Sequence, residues 1–418
     1  MRAKNTVRYY LLVCIALAFL FFSNDFGLTD VQKTALVIAV GIDREEQEFI
    51  VTSQIALPKS EQEGENTQSA QIVSKGKTVA EAFEQINAKT GWYPKLVFCQ
   101  LVVLGESAVQ KDVFDCLNFF LRDEYLSNGC LLATCDGSAQ EILNAKNPVE
   151  ELSGLAAQKV LSSHSERVGT VLPSTLREFA EQYYAEGNSG YLPILKAEPP
   201  QEKTEQSDKG GGQGRDESSS QEKQSGENSQ GGQGQAGQDG KQKQTGQDEK
   251  KVFSASETAL FVNGVKVGKL TTEESKTFAF VKSKLRLAAY LVKENETEYA
   301  LNVKRNTPKL KLSIEKKDEP VLKISLTVTA GILDGAKLQS LEETADAGKI
   351  PNGVLPSAEE KLKTDLIELF EKTRTLGCDI FECQETLKRK NYEYYHQLKD
   401  DILKTVRLET EVQFENVR

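Results

Sequence analysis

Residues 36–57, LVIAVGIDREEQEFIVTSQIAL, decide the fold class of this chain. Two runs rich in Val and Ile, 36–43 and 48–57, flank the polar residues REEQ, and this pattern predicts two neighbouring strands. A segment with helical spacing of apolar residues follows soon afterwards, so strands and helices alternate along the chain. We therefore expect an α+β fold with several domains, whose mixed or antiparallel sheets are flanked by helices.

Two segments after this stretch give further structural signals. Residues 78–91, TVAEAFEQINAKTG, predict a helix that begins at a capping box of Thr78 and Glu81 and ends at Gly91. Residues 95–105, KLVFCQLVVLG, are continuously apolar, which predicts one fully buried strand. Another strand is expected at GCLLATCDG, and the next helix at SAQEIL, where Ser138 would begin it.

The composition changes abruptly between residues 199 and 251, which are Gly, Gln, Ser, Glu and Lys with almost no apolar residue. Such a segment cannot bury enough surface to offset the entropy cost of ordering, so we predict a disordered linker. The resulting division is a signal or anchor segment over 1–28, an N-terminal α+β region over 29–198, the linker, and a C-terminal α+β domain over 252–418.

The C-terminal domain begins with a hairpin signal, because Asn263 and Gly264 separate alternating apolar residues. Residues 309–315 and 321–332 alternate with a period of two, as paired strands with one solvated face do. Residues 357–377 predict a long amphipathic helix beginning at Ser357 and ending at Gly377. The last segment, VRLETEVQFENV, predicts an amphipathic strand.

The N-terminal segment predicts a membrane anchor. Arg2, Lys4 and Arg8 precede an apolar run over residues 9–22, and this charge asymmetry predicts a cytoplasmic N-terminus with the remaining chain outside. Cys14 lies inside the run, and its lipidation is disfavoured because most of the apolar segment follows it and Val13 replaces the small residue that processing needs. We expect an uncleaved N-terminal membrane-anchor helix, with cleavage after residue 18 as the alternative.

The composition argues against several functions. The formal net charge is -10, and no stretch concentrates Lys or Arg among aromatic residues, so nucleic acid is not expected as a partner. The 2 His and 7 Cys leave few residues for a metal site or a nucleophile. His164 lies in a serine-rich segment typical of a polar turn, and neither G-x-S-x-G nor H-E-x-x-H occurs. We therefore predict no enzymatic activity, no metal and no cofactor.

Cysteines and aspartates that could suggest chemistry have structural interpretations. Cys130 and Cys135 are five positions apart, as are Cys378 and Cys383. In a strand this spacing turns the side chains to opposite faces about 17 Å apart, so buried thiols are expected instead, with Cys99 and Cys116 among them. The two aspartates that closely follow apolar stretches, Asp43 and Asp379, are expected to be turn or capping residues.

Taken in order, these segments resemble the spore germination C-subunit proteins, the Ger(x)C family. The resemblance begins at residues 36–58 with Gly-Ile-Asp, continues through GKTVAEAFEQI, KLVFCQLVVLGESAV and CDGSAQEIL, and resumes at TALFVNGVKVGKLTTEES and LGCDIFECQ. It covers nearly all of the chain outside residues 199–251. Residues matching the family motifs, for which we expect structural roles, are Gly41, Ile42, Asp43, Gly105, Glu106, Gly268, Leu270, Asp379 and Phe381.

The resemblance implies a non-enzymatic subunit of a nutrient germinant receptor, on the outer face of the inner spore membrane beside polytopic membrane subunits. A nutrient would be the ligand of the complex, and the family is built of three α/β domains. Relatives are usually lipidated at an N-terminal cysteine, so the N-terminal helix of this chain is expected to substitute for lipid. The alternative from another class is an anchored extracytoplasmic solute-binding protein or an envelope hydrolase.

Overall fold

The computed structural model describes residues 10–15, 17, 34–56, 69–199, 250–282, 285–314, 319–335, 350–398 and 401–417. These residues form a mixed α+β fold of two sheets flanked by helices, as the sequence predicts. The predicted linker lies almost wholly outside the described residues, and so does most of the predicted anchor. Among the described residues, no helix is both long and apolar enough to cross a membrane.

The strands are β1 (Thr34–Glu45), β2 (Glu48–Ala56), β3 (Ser69–Gly76), β4 (Tyr93–Lys95), β5 (Leu101–Leu104), β6 (Leu131–Cys135), β7 (Ser174–Thr175), β8 (Ser189–Glu198), β9 (Val252–Val262), β10 (Val265–Leu270), β11 (Ala288–Glu294), β12 (Thr297–Ile314), β13 (Pro320–Gly335) and β14 (Arg407–Asn416). The helices are α1 (Val79–Thr90), α2 (Glu106–Val109), α3 (Phe114–Arg122), α4 (Ala139–Asn144), α5 (Ser153–Val160), α6 (Ser163–Val168), α7 (Leu176–Tyr184), α8 (Thr272–Lys282), α9 (Val354–Thr375), α10 (Cys383–Lys390), α11 (Tyr392–Leu398) and α12 (Ile402–Thr405).

The first sheet has the strand order β10-β9-β8-β6-β5-β1-β2-β3, with β4 beside β1 and β7 beside β6. Its centre is parallel, because β1, β5, β6 and β8 run in one direction, and its two flanks are antiparallel. Both faces are covered: α1, α3 and α7 contribute to the core on one face, and α4 and α5 to the core on the other. Burial of both faces explains why residues 36–43 form a nearly continuous apolar run.

The second sheet has the order β11-β12-β13-β14, and its last strand pairs with β13 in parallel. Helices α8 and α9 cover one face with the buried residues of their apolar sides. On the other face, side chains such as Lys323 and Thr327 are exposed, so the predicted solvated face is confirmed. The closing strand is also confirmed, with Val412 and Phe414 buried between exposed neighbours.

Strands from both sides of the predicted linker belong to the first sheet. Strand β9 follows residue 251 and pairs antiparallel with β8, and β10 extends the sheet beyond β9. The turn between β9 and β10 confirms the hairpin signal, since Asn263 and Gly264 both have positive φ angles of 51° and 74°. The predicted division into domains stays a prediction, but the pairing of β8 with β9 joins the ordered residues on either side of the linker.

The local signals around α1 are confirmed in detail. The Thr78 hydroxyl accepts a hydrogen bond from the Glu81 N–H at 3.1 Å, and the Glu81 carboxylate accepts one from the Lys77 N–H at 2.7 Å. Gly91 ends the helix in the left-handed conformation with φ 73°. The predicted buried residues Cys99 and Cys116 are also buried.

Two sequence predictions about element boundaries are wrong. Residues 95–105 do not form one strand: β4 ends at Lys95, a turn follows in which Val97 and Phe98 are exposed, and β5 begins at Leu101. The long helix α9 begins at Val354 rather than at Ser357, because the Ser357 N–H already donates to the Gly353 carbonyl at 3.0 Å as part of the first helical turn. The Ser357 hydroxyl bonds instead to the Glu294 carboxylate of the second sheet.

Candidate functional site

The first family motif builds a junction around Asp43, which lies buried near the carboxyl end of β1. Its carboxylate accepts hydrogen bonds from the Ser138 hydroxyl at 2.8 Å, the Ala139 N–H at 2.9 Å and the Gln140 N–H at 3.1 Å. The side chain thereby satisfies the Ala139 N–H, which has no partner inside α4, and shares the Gln140 N–H with the Ser138 hydroxyl, which accepts from it at 3.1 Å. We call this arrangement the Asp43 junction.

Glycines allow the close approach on which the Asp43 junction depends. A Cβ atom at Gly105 would lie 1.8 Å from the Asp43 Oδ1 atom, and one at Gly41 would lie 3.1 Å from the Ala139 Cβ. The Gly105 N–H also donates to the Ile42 carbonyl at 2.8 Å. The two glycines therefore have steric roles here, because no larger side chain fits without displacing Asp43 or α4.

Glu106 contributes to the junction through its backbone. Its N–H donates to the Gly137 carbonyl at 2.8 Å, which ties the start of α2 to the turn before α4, while its side chain is exposed. The exposed carboxylate borders a shallow cavity of about 450 Å³ that Arg44 and Ser107 also line. Arg44 is paired with Asp115 at 3.0 Å, so this cavity presents no unpaired guanidinium to a ligand.

The second family motif builds a junction around Asp379, which connects residues from either side of the predicted linker. The Asp379 N–H donates to the Ser189 hydroxyl at 2.9 Å, and its carboxylate accepts from the Cys383 N–H at 2.9 Å and the Gln384 N–H at 2.8 Å. Gly187 lies so close that its Cβ would be 3.0 Å from the Asp379 Cβ. Burial raises the pKa of the Asp379 carboxyl above its ordinary value. We call this arrangement the Asp379 junction.

Charged and hydroxyl groups extend the Asp379 junction. The Glu186 carboxylate bonds to the Lys388 ammonium and to the hydroxyl of the buried Tyr395, both of which come from the C-terminal helices. On the other side of the motif, Lys282 and Glu382 form an ion pair at 2.5 Å. The polar contacts of Glu186 and Asp379 therefore hold helix α10 against the segment between α7 and β8.

The remaining motif residues pack the core beside this junction. Leu270 is fully buried at the end of β10, and Phe381 lies against Phe278 and Phe370, with ring centroids 5.7 Å and 5.6 Å apart. A Cβ atom at Gly268 would lie 2.9 Å from the Leu376 side chain. Gly268 thus lets β10 approach the end of α9, and Phe381 packs between α8 and α9.

A cleft of about 660 Å³ opens next to the Asp379 junction, between the end of α7 and the start of α10. Its charged lining is mainly acidic, with Glu178, Glu181, Glu382 and Glu385 against Lys282 and Arg389. Several of these groups are already engaged: Glu178 caps α7, and Glu181 pairs with Arg177 at 2.8 Å.

Among the residues that the structure describes, no group of three or more His, Cys, Asp or Glu side chains could hold a metal ion. His164 lies in α6 rather than in the turn that its serine-rich surroundings suggest. His396 is exposed on α11. Burial raises the pKa of Cys116 and Cys378 to about 12, which keeps both as unreactive thiols at neutral pH.

The sequence predicted the kind of role that the two aspartates have, but not their partners. Asp43 caps a helix that begins 96 residues later, at Ala139. Asp379 caps the next helix but also contacts Ser189, 190 positions away. Neither Ser189 nor Glu186 could be predicted, because no local sequence pattern marks either residue. Cys14, for which lipidation is disfavoured, lies within residues 10–15 and is exposed.

The fold and these junctions define a two-sheet α+β protein whose motif residues have packing and capping roles. Its identity follows from comparison with known families. Residues 28–197 match the family model described as the spore germination protein N-terminal domain, and residues 256–418 match the one described as spore germination B3/GerAC like, C-terminal. Together the two matches cover most of the chain. The chain therefore belongs to the Ger(x)C family of spore germination proteins.

Individual relatives agree with this assignment. Spore germination protein A3 of Bacillus subtilis (strain 168) is 26% identical over 179 residues, which are 41% of this chain and 47% of that protein. Spore germination protein B3 of the same organism is 23% identical over 198 residues, covering 46% and 50%. The matches thus span about half the length of these relatives. The crystal structure of the GerBC protein has a TM-score of 0.51 at 15% identity, covers 91% of this chain and 97% of its own, and shows the similarity of fold.

Proposed function

We propose that this chain is a non-enzymatic, membrane-anchored subunit of a nutrient germinant receptor and acts in spore germination through protein contacts. Membership of the Ger(x)C family supports this function, since both of its family domains are present in order. The proposed location is the outer face of the inner spore membrane, with residues 1–28 as the anchor. The proposed partners are polytopic membrane subunits, and the nutrient is a ligand of the complex.

The Asp379 junction is the observation that supports a mechanism. A buried carboxyl group there accepts two N–H donors of α10, while its own N–H reaches the Ser189 hydroxyl in the first sheet. A displacement of the C-terminal helices therefore has to disturb the start of β8. We propose that this junction transmits conformational change between the two parts of the subunit when the receptor responds to a nutrient.

Deletion and complementation in a sporulating host test the function. The prediction is that spores without this chain lose the response to one nutrient but still germinate through routes that bypass receptors. Complementation with the natural sequence restores the response, and so does Gly129→Ala, whose added Cβ would meet only the Ser127 hydroxyl at 3.6 Å. An unchanged nutrient response, with the polytopic subunits still present at normal amounts, would exclude the proposed role.

Co-purification tests the proposed partners. Affinity capture of the tagged full chain from spore membranes should recover two polytopic proteins in fixed ratio. A natural control is the same capture from spores lacking the genes for those proteins. Recovery of the chain alone, from membranes in which the polytopic proteins are detected, would contradict the proposed assembly.

The cleft beside the Asp379 junction favours one second candidate, an anchored solute-binding protein. Its volume of about 660 Å³ suits a small molecule, and its mostly acidic lining would prefer a cationic one. A thermal-shift screen of the full chain with amino acids, amines and sugars tests this candidate. A ligand of the cleft should raise the midpoint in proportion to its concentration, and Glu385→Gln should weaken that effect. No observation favours an envelope hydrolase.

A further inference from the structure

Four apolar side chains form an exposed group at one end of the first sheet. Tyr93 is 59% exposed, Val97 47%, Phe98 54% and Tyr125 58%. Singly exposed apolar residues are common on protein surfaces, but contiguous ones mark interaction sites. We call these four residues the apolar edge.

One contact and the order of the chain place these four residues near one another. Tyr93 and Lys95 are two positions apart in β4, so their side chains lie on the same side of the strand. The Lys95 ammonium lies 4.6 Å from the ring centroid of Tyr125, which brings the loop after α3 against β4. Val97 and Phe98 occupy the turn that directly follows β4.

The apolar edge lies where the amino ends of the parallel strands meet. Strand β5 begins three residues after Phe98, and β6 begins six residues after Tyr125. Both strands run parallel to β1, whose first residue, Thr34, pairs with Tyr93. The chain therefore enters the sheet from the N-terminal segment at the same edge that carries the exposed aromatic side chains.

A short segment of chain connects this edge to the proposed anchor. The apolar run of the anchor ends at residue 22, and residues 23–33 separate it from Thr34. Eleven extended residues span at most about 40 Å, so an anchor that spans the bilayer keeps Thr34 within that distance of the membrane surface. The exposed aromatic group beside Thr34 is then within reach of the lipid headgroups.

Aromatic composition favours lipid over a charged partner. Tyr and Phe side chains are suited to the membrane interface, where the ring meets acyl chains and a Tyr hydroxyl meets headgroups. The charged residues beside the apolar edge balance, with Lys95 and Arg122 against Asp123 and Glu124. Attraction to anionic lipid is therefore weak, and burial of apolar surface has to provide the contact.

We propose that the apolar edge lies on the bilayer surface, so that the first sheet rests with the amino ends of its parallel strands against the membrane. This inference rests on the proposed membrane anchoring and goes beyond it, because an anchor alone would leave the domain free to rotate. The fixed face would then determine which surfaces point towards membrane partners and which point away.

The only tryptophan of the chain supplies the test, because Trp92 directly precedes Tyr93 and is half-buried. Full-length protein is reconstituted into phosphatidylcholine vesicles with or without brominated acyl chains, which quench tryptophan fluorescence over short distances. We expect strong quenching of Trp92 in the natural chain. In a variant carrying Tyr93→Ser, Val97→Ser and Phe98→Ser, quenching should fall about three-fold, because the apolar area that holds the edge on the bilayer is removed.

Two controls make the result specific. Val149 is 89% exposed and lies near residue 146, whose carbonyl accepts a hydrogen bond from the Lys251 N–H at 2.7 Å. Lys251 directly precedes β9, which begins at the carboxyl end of β8, so Val149→Ser removes apolar surface at the opposite end of the sheet. This variant should be quenched like the natural chain. Quenching in the single variant Phe98→Ser should lie between that of the natural chain and that of the triple variant. This smaller change keeps the test valid if the triple variant misfolds.

The outcomes separate this inference from the anchoring on which it rests. Quenching that persists in about 0.5 M salt and needs no anionic lipid supports the inference. If the chain floats with vesicles but Trp92 is not quenched, or is quenched equally in the triple variant, the edge does not contact lipid and anchoring stands. Quenching that needs anionic lipid and disappears in salt also overturns the inference. Failure to float with vesicles overturns both proposals.

Discussion

The Asp43 and Asp379 junctions use the same chemistry at two places with different consequences. Each places a buried carboxylate against the first N–H groups of a helix. The Asp43 junction connects elements of one continuous region, and its two sides are fixed by neighbouring parallel strands. The Asp379 junction connects residues that the predicted linker separates in sequence. This difference supports the proposal that the first junction serves folding and the second transmits conformational change.

Substitution of the glycine at each junction should show the largest difference. Gly105→Ala would place a Cβ 1.8 Å from the Asp43 carboxylate and should lower the free energy of unfolding by about 3 kcal/mol or more. Gly187→Ala, with 3.0 Å to the Asp379 Cβ, should cost about 1 kcal/mol. Chemical denaturation measures both, with Gly129→Ala as the unaffected control. Equal losses at the two junctions would contradict the comparison.

Removal of the carboxylates should come next in size. Asp43→Ala leaves the Ala139 N–H without its acceptor, and Asp379→Ala does the same for the Cys383 and Gln384 N–H groups, so each should cost about 2 kcal/mol. Hydrogen exchange distinguishes the two variants. Asp43→Ala should raise exchange in α4, whereas Asp379→Ala should raise it both in α10 and at the start of β8. Exchange confined to α10 in the second variant would show that the junction does not connect the two parts.

Differences in pH dependence should be smaller but specific. Burial raises the pKa of Asp379 above its unfolded value of 3.8, so the folded state holds this proton more tightly than the unfolded chain does. This contribution to stability is complete below that unfolded pKa and is lost as pH rises through the folded pKa. Asp379→Asn cannot ionise and should flatten this part of the profile in denaturation experiments. A slope identical to that of the natural chain would show that Asp379 does not titrate in this range.

Ion pairs at the Asp379 junction should contribute least. Lys388→Met removes one partner of Glu186 at a position that is 38% exposed, so the free energy of unfolding should change less than in any of the preceding variants. The Tyr395 hydroxyl remains bonded to Glu186 in this variant. Thermal unfolding at low and high salt checks the prediction. A loss of stability as large as that of Asp379→Ala would show that the ion pairs, and not the buried carboxyl group, stabilise the junction.

Local chemistry explains which elements the sequence could predict. The helix after Thr78 and the hairpin at Asn263 and Gly264 were predicted correctly, because caps and tight turns are recorded in adjacent residues. The prediction of one buried strand over residues 95–105 was wrong, because Leu96 and Cys99 are buried while Val97 and Phe98 between them are exposed. Apolar composition alone does not distinguish a strand from a turn with an exposed apolar tip.

Long-range partners explain what the sequence could not predict about the site. Asp43 and Asp379 could be singled out because each follows an apolar stretch, and the family resemblance supported both. Their contacts with Ser138 and Ser189 join positions 95 and 190 residues apart, which a single sequence does not connect. The different roles of two aspartates with similar local surroundings become visible only when the sheet topology is known.

Nutrient-triggered germination of spores carrying Asp379→Ala tests the central claim most directly, with Asp43→Ala as the matched variant. If the Asp379 junction transmits the response, Asp379→Ala should slow germination about ten-fold while the chain stays in the spore membrane at a normal amount. Asp43→Ala should change germination only as far as it lowers the amount of protein. Germination at the natural rate with a normal amount of Asp379→Ala protein would contradict the proposed mechanism.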